Sequence, residues 1–363
     1  MNRQPPAGRP AIVGRRVSAR TPRDFARRII TWQARHGRHD LPWQKTRDPY
    51  RIWISEIMLQ QTRVETVKAY YDRFLERFPT VGDLARARPK TVLRHFAGLG
   101  YYARAHHLHE AARRVVRSGG DFPTRLESLL ELPGIGASTA GAILSLSHDE
   151  PHPILDGNVR RLLARLSLGR NPERNARETT RLWTLARSLL PEKAGAAYTQ
   201  GVMDLGALLC RPRDPDCGHC PFARDCRYPR SPEARRTRRD PVRNRRPSRE
   251  MRLLLIRRSG RLLLERRPRG GIWGGLSCLP EIPPGQSPRQ WSRQLLSAPV
   301  GHLVRHPPWR HPLTHLELTI AVFGTEVKPG AGSLSSRATR WVTRRELGAE
   351  PLPRPIQRFL EGS

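Results

Sequence analysis

Four of the five cysteines crowd between Cys210 and Cys226, at the spacing C-x6-C-x2-C-x5-C. A secreted disulfide framework spreads its cysteines along the chain, so this cluster reads as a metal site. Four thiolates can close a tetrahedral zinc site or hold a 4Fe–4S cube, and ligand count leaves both open. Two carboxylates suggest other chemistry. Asp156 stands in "PILDGNVRRLLARL", where Asp-Gly-Asn can cap a helix starting at Val159, the common role of an Asp in that position. Glu56 stands in "IWISEIMLQQTRVETV", among Ile52, Trp53, Ile57, Met58 and Leu59. Desolvation in such an apolar helical run would raise its pKa and keep it protonated, although many glutamates in such runs merely reach solvent. Two carboxylates of different pKa can divide acid work from charge stabilisation between them.

A third feature is the stretch "LPGIGASTAG", Leu132 to Gly141. One amphipathic helix is expected to end at Pro133 and another to start after Gly136. Gly134 and Gly136 both permit φ > 0 and leave backbone N–H groups uncovered at the positive end of the second helix, a socket for a phosphate. Helix–turn–helix pairs of this kind also occur in proteins that bind nothing.

The elements that must position these groups follow from periodicity. At 363 residues the chain is long enough for two domains, each with its own core. "TPRDFARRIITWQARHG" offers a Thr cap, Pro in the first turn and apolar Phe25, Ile29, Ile30 and Trp32 near helical spacing. Helical stretches are expected over 52–78, 80–87, 89–98, 103–118, 125–131, 136–148, 158–167, 175–189 and 196–210. Residues 1–20 read as a basic disordered arm, and 229–250, rich in Pro and Arg, as a linker that lies along DNA. Beyond it the period changes. "MRLLLIRRSGRLLLERRP" reads as a β-hairpin turning at Ser259-Gly260, "THLELTIAVFGTEV" as a strand and "RPIQRFL" as a helix. The fold class is therefore multi-domain: an all-α domain over 21–228, then a smaller α+β domain over 251–363.

Composition narrows the partner. Lys and Arg number 66 against 32 Asp and Glu, a formal net charge of +34. Neutralising phosphates releases counterions, so a nucleic acid is the natural ligand, although arginine on solvated faces contributes to the same balance. With no apolar run long enough to cross a bilayer and no hydrophobic signal core, the expectation is a soluble, cytoplasmic protein that meets no membrane.

Taken in order, "LPWQ", "SEIMLQQT", "GLGYYARA", "LPGIG", "LDGNVRRLLAR" and "MDLGALLC" resemble the MutY family of adenine DNA glycosylases, within the helix-hairpin-helix superfamily, over nearly all of 21–228. The resemblance implies a monomeric base-excision enzyme that removes adenine from 8-oxoguanine:A or G:A pairs in double-stranded DNA. It implies that Glu56 protonates adenine N7, Asp156 stabilises the oxocarbenium ion and Asn158 orients the pair. Leu41, Trp43 and Gln200 match residues that contact adenine. Gln61, Thr62, Leu99 and Tyr101 match residues that wedge the duplex and frame 8-oxoguanine, whereas Tyr102 reads better as core. Gly134, Gly136 and Ser138 match the phosphate-gripping hairpin. Ser138 stands where relatives resembling endonuclease III carry a lysine nucleophile; a serine forms no Schiff base, so water should finish the reaction. His39 stands where Lys or Arg is usual.

The same resemblance makes the cysteine spacing an iron–sulfur signature, with Cys210, Cys217, Cys220 and Cys226 as ligands of one 4Fe–4S cluster. "LLLERRPRGGIWGGLSCLP" resembles the Nudix-like C-terminal domain of the family, and the following stretch lacks the repeated glutamates that hold magnesium, so this domain should bind and not hydrolyse. Leu313, Thr314 and His315 correspond to the family's Phe-Ser-His loop that checks 8-oxoguanine, with the aromatic ring lost at Leu313. Two rivals remain: an endonuclease III-like lyase on oxidised pyrimidines, disfavoured by Ser138, and a non-catalytic lesion-binding protein, disfavoured by Glu56 with Asp156.

Overall fold

The computed structural model describes residues 21–239, 246–328 and 338–362. The arm expected over 1–20 and residues 240–245 of the expected linker lie outside the described residues. The helices are α1 (Pro22–His36), α2 (Pro49–Leu59), α3 (Val64–Arg77), α4 (Val81–Arg86), α5 (Pro89–Phe96), α6 (Ala103–Arg117), α7 (Leu126–Leu130), α8 (Ala137–His148), α9 (Gly157–Leu168), α10 (Ala176–Ser188), α11 (Gly195–Leu208) and α12 (Pro232–Arg239). An α+β part follows: β1 (Ser248–Arg258), β2 (Arg261–Arg266), β3 (Ser277–Cys278), α13 (Pro288–Leu296), β4 (Val304–Arg305), β5 (Trp309–Pro312), β6 (Glu317–Glu326), β7 (Thr339–Thr343), α14 (Arg344–Leu347) and α15 (Arg354–Glu361). No described helix is long and apolar enough to cross a membrane.

Packing divides the chain into two compact units that do not follow the boundary expected from composition. One holds the described residues up to Asp40 and those from Ala137 to 239; the other holds Leu41–Gly136 and the described residues from 246 on. The first unit is built on α1, where Thr21 caps the helix by accepting from the Asp24 N–H at 3.2 Å. Phe25, Ile29 and Trp32 of α1 pack with Leu162, Leu163 and Leu166 of α9 and Val202 and Leu205 of α11. Gly201 is required by this close approach, because a Cβ there would lie 2.6 Å from Ile29 Cγ2.

In the second unit, the sheet order is β3-β2-β1-β6-β4, with β5 also on β6 and β7 on β2. The hairpin β1–β2 turns at Ser259-Gly260 as expected, both at positive φ. The pairing of β1 with β6 is parallel, Ser248 opposite Glu317 through Arg257 opposite Glu326. The buried Glu350 joins this sheet to the helices. It accepts from Lys90 Nζ on α5 at 2.5 Å, from Ser277 Oγ at 2.7 Å and from Arg340.

Two sequence expectations are corrected. The helix expected over 52–78 is two, broken at Gln60–Arg63, where Gln61 takes φ 58°. Much of the stretch read as linker is structured: a 3₁₀ turn at Tyr228–Arg230, then α12, and β1 from Ser248. Side chains hold it there. Tyr228 is buried beneath the Arg165 guanidinium at 4.2 Å, and Glu233 accepts from the Asn171 N–H at 3.0 Å.

Candidate active site

In the first unit, Asp156 ends an extended stretch and caps α9, accepting from the Val159 N–H at 2.7 Å. The bland reading of this residue, a helix cap, is thus correct as far as it goes. Its other oxygen lies 3.4 Å from Asn158 Nδ2. Burial raises its pKa above the ordinary carboxylate value, while the Val159 amide, Arg161 and Asn158 pull it back. A carboxyl placed among an amide, a guanidinium and a carboxamide is suited to meeting a developing cation.

Helix α8 fixes the stretch leading to Asp156 through three small residues. Ser138 Oγ accepts from the Leu155 N–H at 3.0 Å, and Ser145 Oγ accepts from the His152 N–H at 3.1 Å. Between them Gly141 admits Pro153, whose carbonyl oxygen would lie 2.6 Å from a Cβ. The hydroxyl at Ser138 therefore positions backbone. Of the two glycines ahead of α8, only Gly134 takes positive φ, at 83°; Gly136 does not, and a Cβ there would meet nothing within 4 Å, so the expectation for Gly136 is corrected. Both glycines are exposed.

Two arginines on the inner face of α9, missed in the sequence, connect this region to the cysteines. Arg161 donates to Asn158 Oδ1 at 2.9 Å, to the Gly206 carbonyl at 2.7 Å and, through Nε, to the Cys210 carbonyl at 2.7 Å. Arg165 is 1% exposed and donates to the carbonyls of Arg211 and Pro212, with Cys210 Sγ at 3.6 Å. Their signal was a pair of arginines four apart within "VRRLLARL", on one face of a helix rich in leucine. Gln200 is buried, its amide donating to Asp204 at 2.9 Å; Asp204 also accepts from the Arg38 N–H at 2.9 Å.

Cys210, Cys217, Cys220 and Cys226 line one apolar pocket with Leu162, Phe222 and Tyr228. Burial pushes the Cys220 thiol up to about 12 and the Cys226 thiol up to about 11. Among the described residues, no three His, Cys, Asp or Glu side chains converge as ligands of a single ion. Four cysteines lining one pocket, with the Arg165 guanidinium beside Cys210, are the type of donor set that a thiolate-held cluster would take. Arg211 and Arg213 of the intervening loop are exposed.

In the second unit, Glu56 is half-buried on α2 between the buried Ser55 and Ile57. Leu41 and Trp43 are buried, with Trp43 edge-on to Tyr71. Arg104, also missed in the sequence, organises the loops after α2 and before α6. It is buried and donates to the carbonyls of Ile57 at 2.8 Å, Met58 at 2.7 Å and Gly100 at 2.9 Å, and to Thr62 Oγ1 at 3.0 Å. Desolvation lowers its pKa to about 10. These bonds hold Gln61 and Tyr101 at positive φ with both side chains exposed. Leu99 is 5% exposed, packed inward beside this network. Tyr102 is core, its hydroxyl accepting from the Gly98 N–H. Thr314 and His315 are exposed at the turn between β5 and β6, with Leu313 half-buried and its N–H donating to the Leu316 carbonyl at 2.8 Å. Cys278 is fully buried and packs as an apolar group.

Comparison with known proteins agrees with this fold. Residues 54–186 match the family model of HhH-GPD superfamily base excision DNA repair proteins, and 252–362 match a NUDIX domain. A solved thermostable thymine-DNA glycosylase superposes with a TM-score of 0.53 at 30% identity, over 60% of this chain and 100% of that one. A non-covalent endonuclease III–DNA complex, at 19% identity and a TM-score of 0.51, shares the fold over 61% of this chain. Helical fold and appended Nudix domain define a DNA glycosylase of base-excision repair. The adenine DNA glycosylase of Buchnera aphidicola subsp. Schizaphis graminum (strain Sg) is 31% identical over 351 residues, 93% of this chain and 98% of its own length. That of Rattus norvegicus is 33% identical, over 89% of this chain and 74% of its own. The chain belongs to the adenine DNA glycosylase family.

Proposed function

We propose that this adenine DNA glycosylase is monofunctional and acts, as a monomer bound to double-stranded DNA in the bacterial cytoplasm, on adenine opposite 8-oxoguanine or guanine. Glu56 delivers a proton to adenine N7, the C1′–N9 bond breaks with its electron pair leaving on adenine, and Asp156 stabilises the oxocarbenium ion. Water then adds at C1′ and gives up a proton, leaving an abasic site. Asn158 holds Asp156. Leu41, Trp43 and Gln200 shape the adenine pocket, while the Gly134–Gly136 turn grips a phosphate. Gln61, Thr62 and Tyr101 meet the duplex at 8-oxoguanine, and Leu313, Thr314 and His315 check that base from the domain over 251–363. Cys210, Cys217, Cys220 and Cys226 would hold a 4Fe–4S cluster, which supplies a rigid anchor for the basic loop at Arg211 and Arg213.

The observation that carries the reading is the bond from the Leu155 N–H to Ser138 Oγ. It supports the monofunctional reading: the hydroxyl is already engaged in holding backbone, and a serine cannot form the Schiff base that a lyase's amine forms. The test is a single-turnover assay on a labelled 8-oxoguanine:A duplex, quenched with and without alkali, beside a thymine-glycol duplex. Strand breaks at adenine that need alkali support the reading. Breaks at thymine glycol without alkali would replace it with a lyase, and no breaks at all with a binding protein.

A further inference from the structure

A cleft of 380 Å³ lies in the second unit between the loops that Arg104 organises and a glycine-rich loop of the Nudix domain. Gln60, Gln61, Tyr101 and His107 line one side, and Arg269 with Gly271 the other. Among the described residues its lining contains no carboxylate. Glycine requirements fix the loop there. A Cβ at Gly274 would lie 2.2 Å from the Arg269 carbonyl oxygen, so the loop doubles back on itself; one at Gly275 would lie 2.4 Å from His106 Nε2, so the loop rests directly on α6. Gly270 and Gly271 are exposed, and a Cβ at either would meet nothing within 4 Å. Neither amide donates to a backbone carbonyl among the described residues, and both stand next to the exposed Arg269, which forms no ion pair among those residues. The buried Trp273 lies tilted against His311, with ring centroids 6.4 Å apart, which ties the loop to the strand leading into Leu313–His315.

We infer that Arg269, with the Gly270 and Gly271 amides, binds a backbone phosphate of the strand that carries 8-oxoguanine. This rests on the reading above, in which Gln61 and Tyr101 on one side and Thr314 and His315 on the other approach that base. A strand held between those two groups must carry its phosphates past the loop that joins them. Exposed amides beside an arginine are what a phosphate requires. The contact positions the lesion strand without reading sequence.

The test measures duplex affinity against salt, with an 8-oxoguanine strand opposite 2′-fluoro-deoxyadenosine, whose fluorine disfavours the oxocarbenium ion and blocks turnover. Arg269→Ala should weaken binding about two- to fivefold at physiological salt and flatten the plot of log K against log salt by about 0.9, the share of one phosphate. Arg269→Lys should keep the slope. Neutral methylphosphonate linkages, placed singly around 8-oxoguanine, should weaken the wild type at one position where Arg269→Ala is indifferent. Because Arg269 is exposed, Arg269→Ala should melt with the wild type, which separates weakened binding from unfolding. Equal slopes for wild type and Arg269→Ala, or additive losses at every linkage, overturn the inference while leaving adenine excision in place. Absence of adenine excision by the wild type would instead remove the reading on which the inference stands.

Discussion

Asp156 is both a helix cap and the proposed charge stabiliser, and two substitutions separate the roles. Asn caps helices about as well as Asp, whereas Ala loses the bond to the Val159 N–H at a cost of about 1 kcal/mol. Asp156→Ala should therefore melt about 2–4 °C below Asp156→Asn, the shift expected per kcal/mol for a domain of 150–250 residues. Asp156→Asn should melt at or above the wild type at neutral pH. The sign follows from the raised pKa. A carboxyl whose pKa is higher folded than unfolded stabilises the fold fully below its unfolded value of about 3.8 and loses that contribution as pH rises through the folded value. At neutral pH, well above the unfolded value, burial of this carboxyl opposes folding, and Asn removes that opposition. The wild type should regain ground on Asp156→Asn as pH falls toward 4.

Activity should move differently. Both variants lose a preorganised charge aimed at the sugar, worth about 10²–10³ in rate, while duplex affinity stays near the wild type. Melting followed by circular dichroism and single-turnover adenine release on one set of preparations decide the matter. Release by Asp156→Asn within tenfold of the wild type would refute the catalytic role. Equal melting of the Asn and Ala variants would refute the cap.

Three further outcomes follow from the same unit. Ser138→Ala leaves the Leu155 N–H without its acceptor, a loss of about 1–3 kcal/mol; adenine release should slow by about tenfold or more with duplex affinity unchanged, and an unaltered rate would show that the serine does not hold the approach to Asp156. Arg161→Gln removes the bridge from Asn158 to the Cys210 carbonyl and should slow release at full cluster occupancy, measured by iron content beside rate. Cys226→Ala should lower iron and sulfide content and weaken duplex binding more than the rate at saturating enzyme; a rate loss with binding intact would contradict a purely architectural cluster.

Much of this was legible because it is local. Thr21 before Pro22, and Ser259-Gly260 between two apolar runs, set their turns through residues adjacent in sequence, and the structure has both. What failed was decided at a distance. The break between α2 and α3 is enforced by Arg104, more than forty residues on, which draws the carbonyls of Ile57 and Met58 to itself. The parallel pairing of β1 with β6, and the packing of α1 against α9 and α11, join segments with no shared local signal. The Pro/Arg stretch after Cys226 looked unburied by composition, yet Tyr228 stacks on Arg165 and Glu233 accepts from the Asn171 N–H.

The residues least foreseeable from propensity sit in strained loops, two of them exposed and one buried. Gln61, Tyr101 and Trp273 all take positive φ, a conformation that costs a non-glycine residue about 1–3 kcal/mol, and all three belong to loops around the cleft beside Arg269. Such strain persists only where the surroundings over-determine it. Here they do: Arg104 clamps the first two loops, while the close approaches of Gly274 and Gly275 clamp the third. Glycine at Gln61 or Tyr101 would relieve the strain but remove the side chain proposed to meet the duplex. The cost of holding Gln61 and Tyr101 outward is met inside the protein, ahead of the duplex contact proposed for them. A bound strand then meets a preset surface, which lowers the ordering cost of binding.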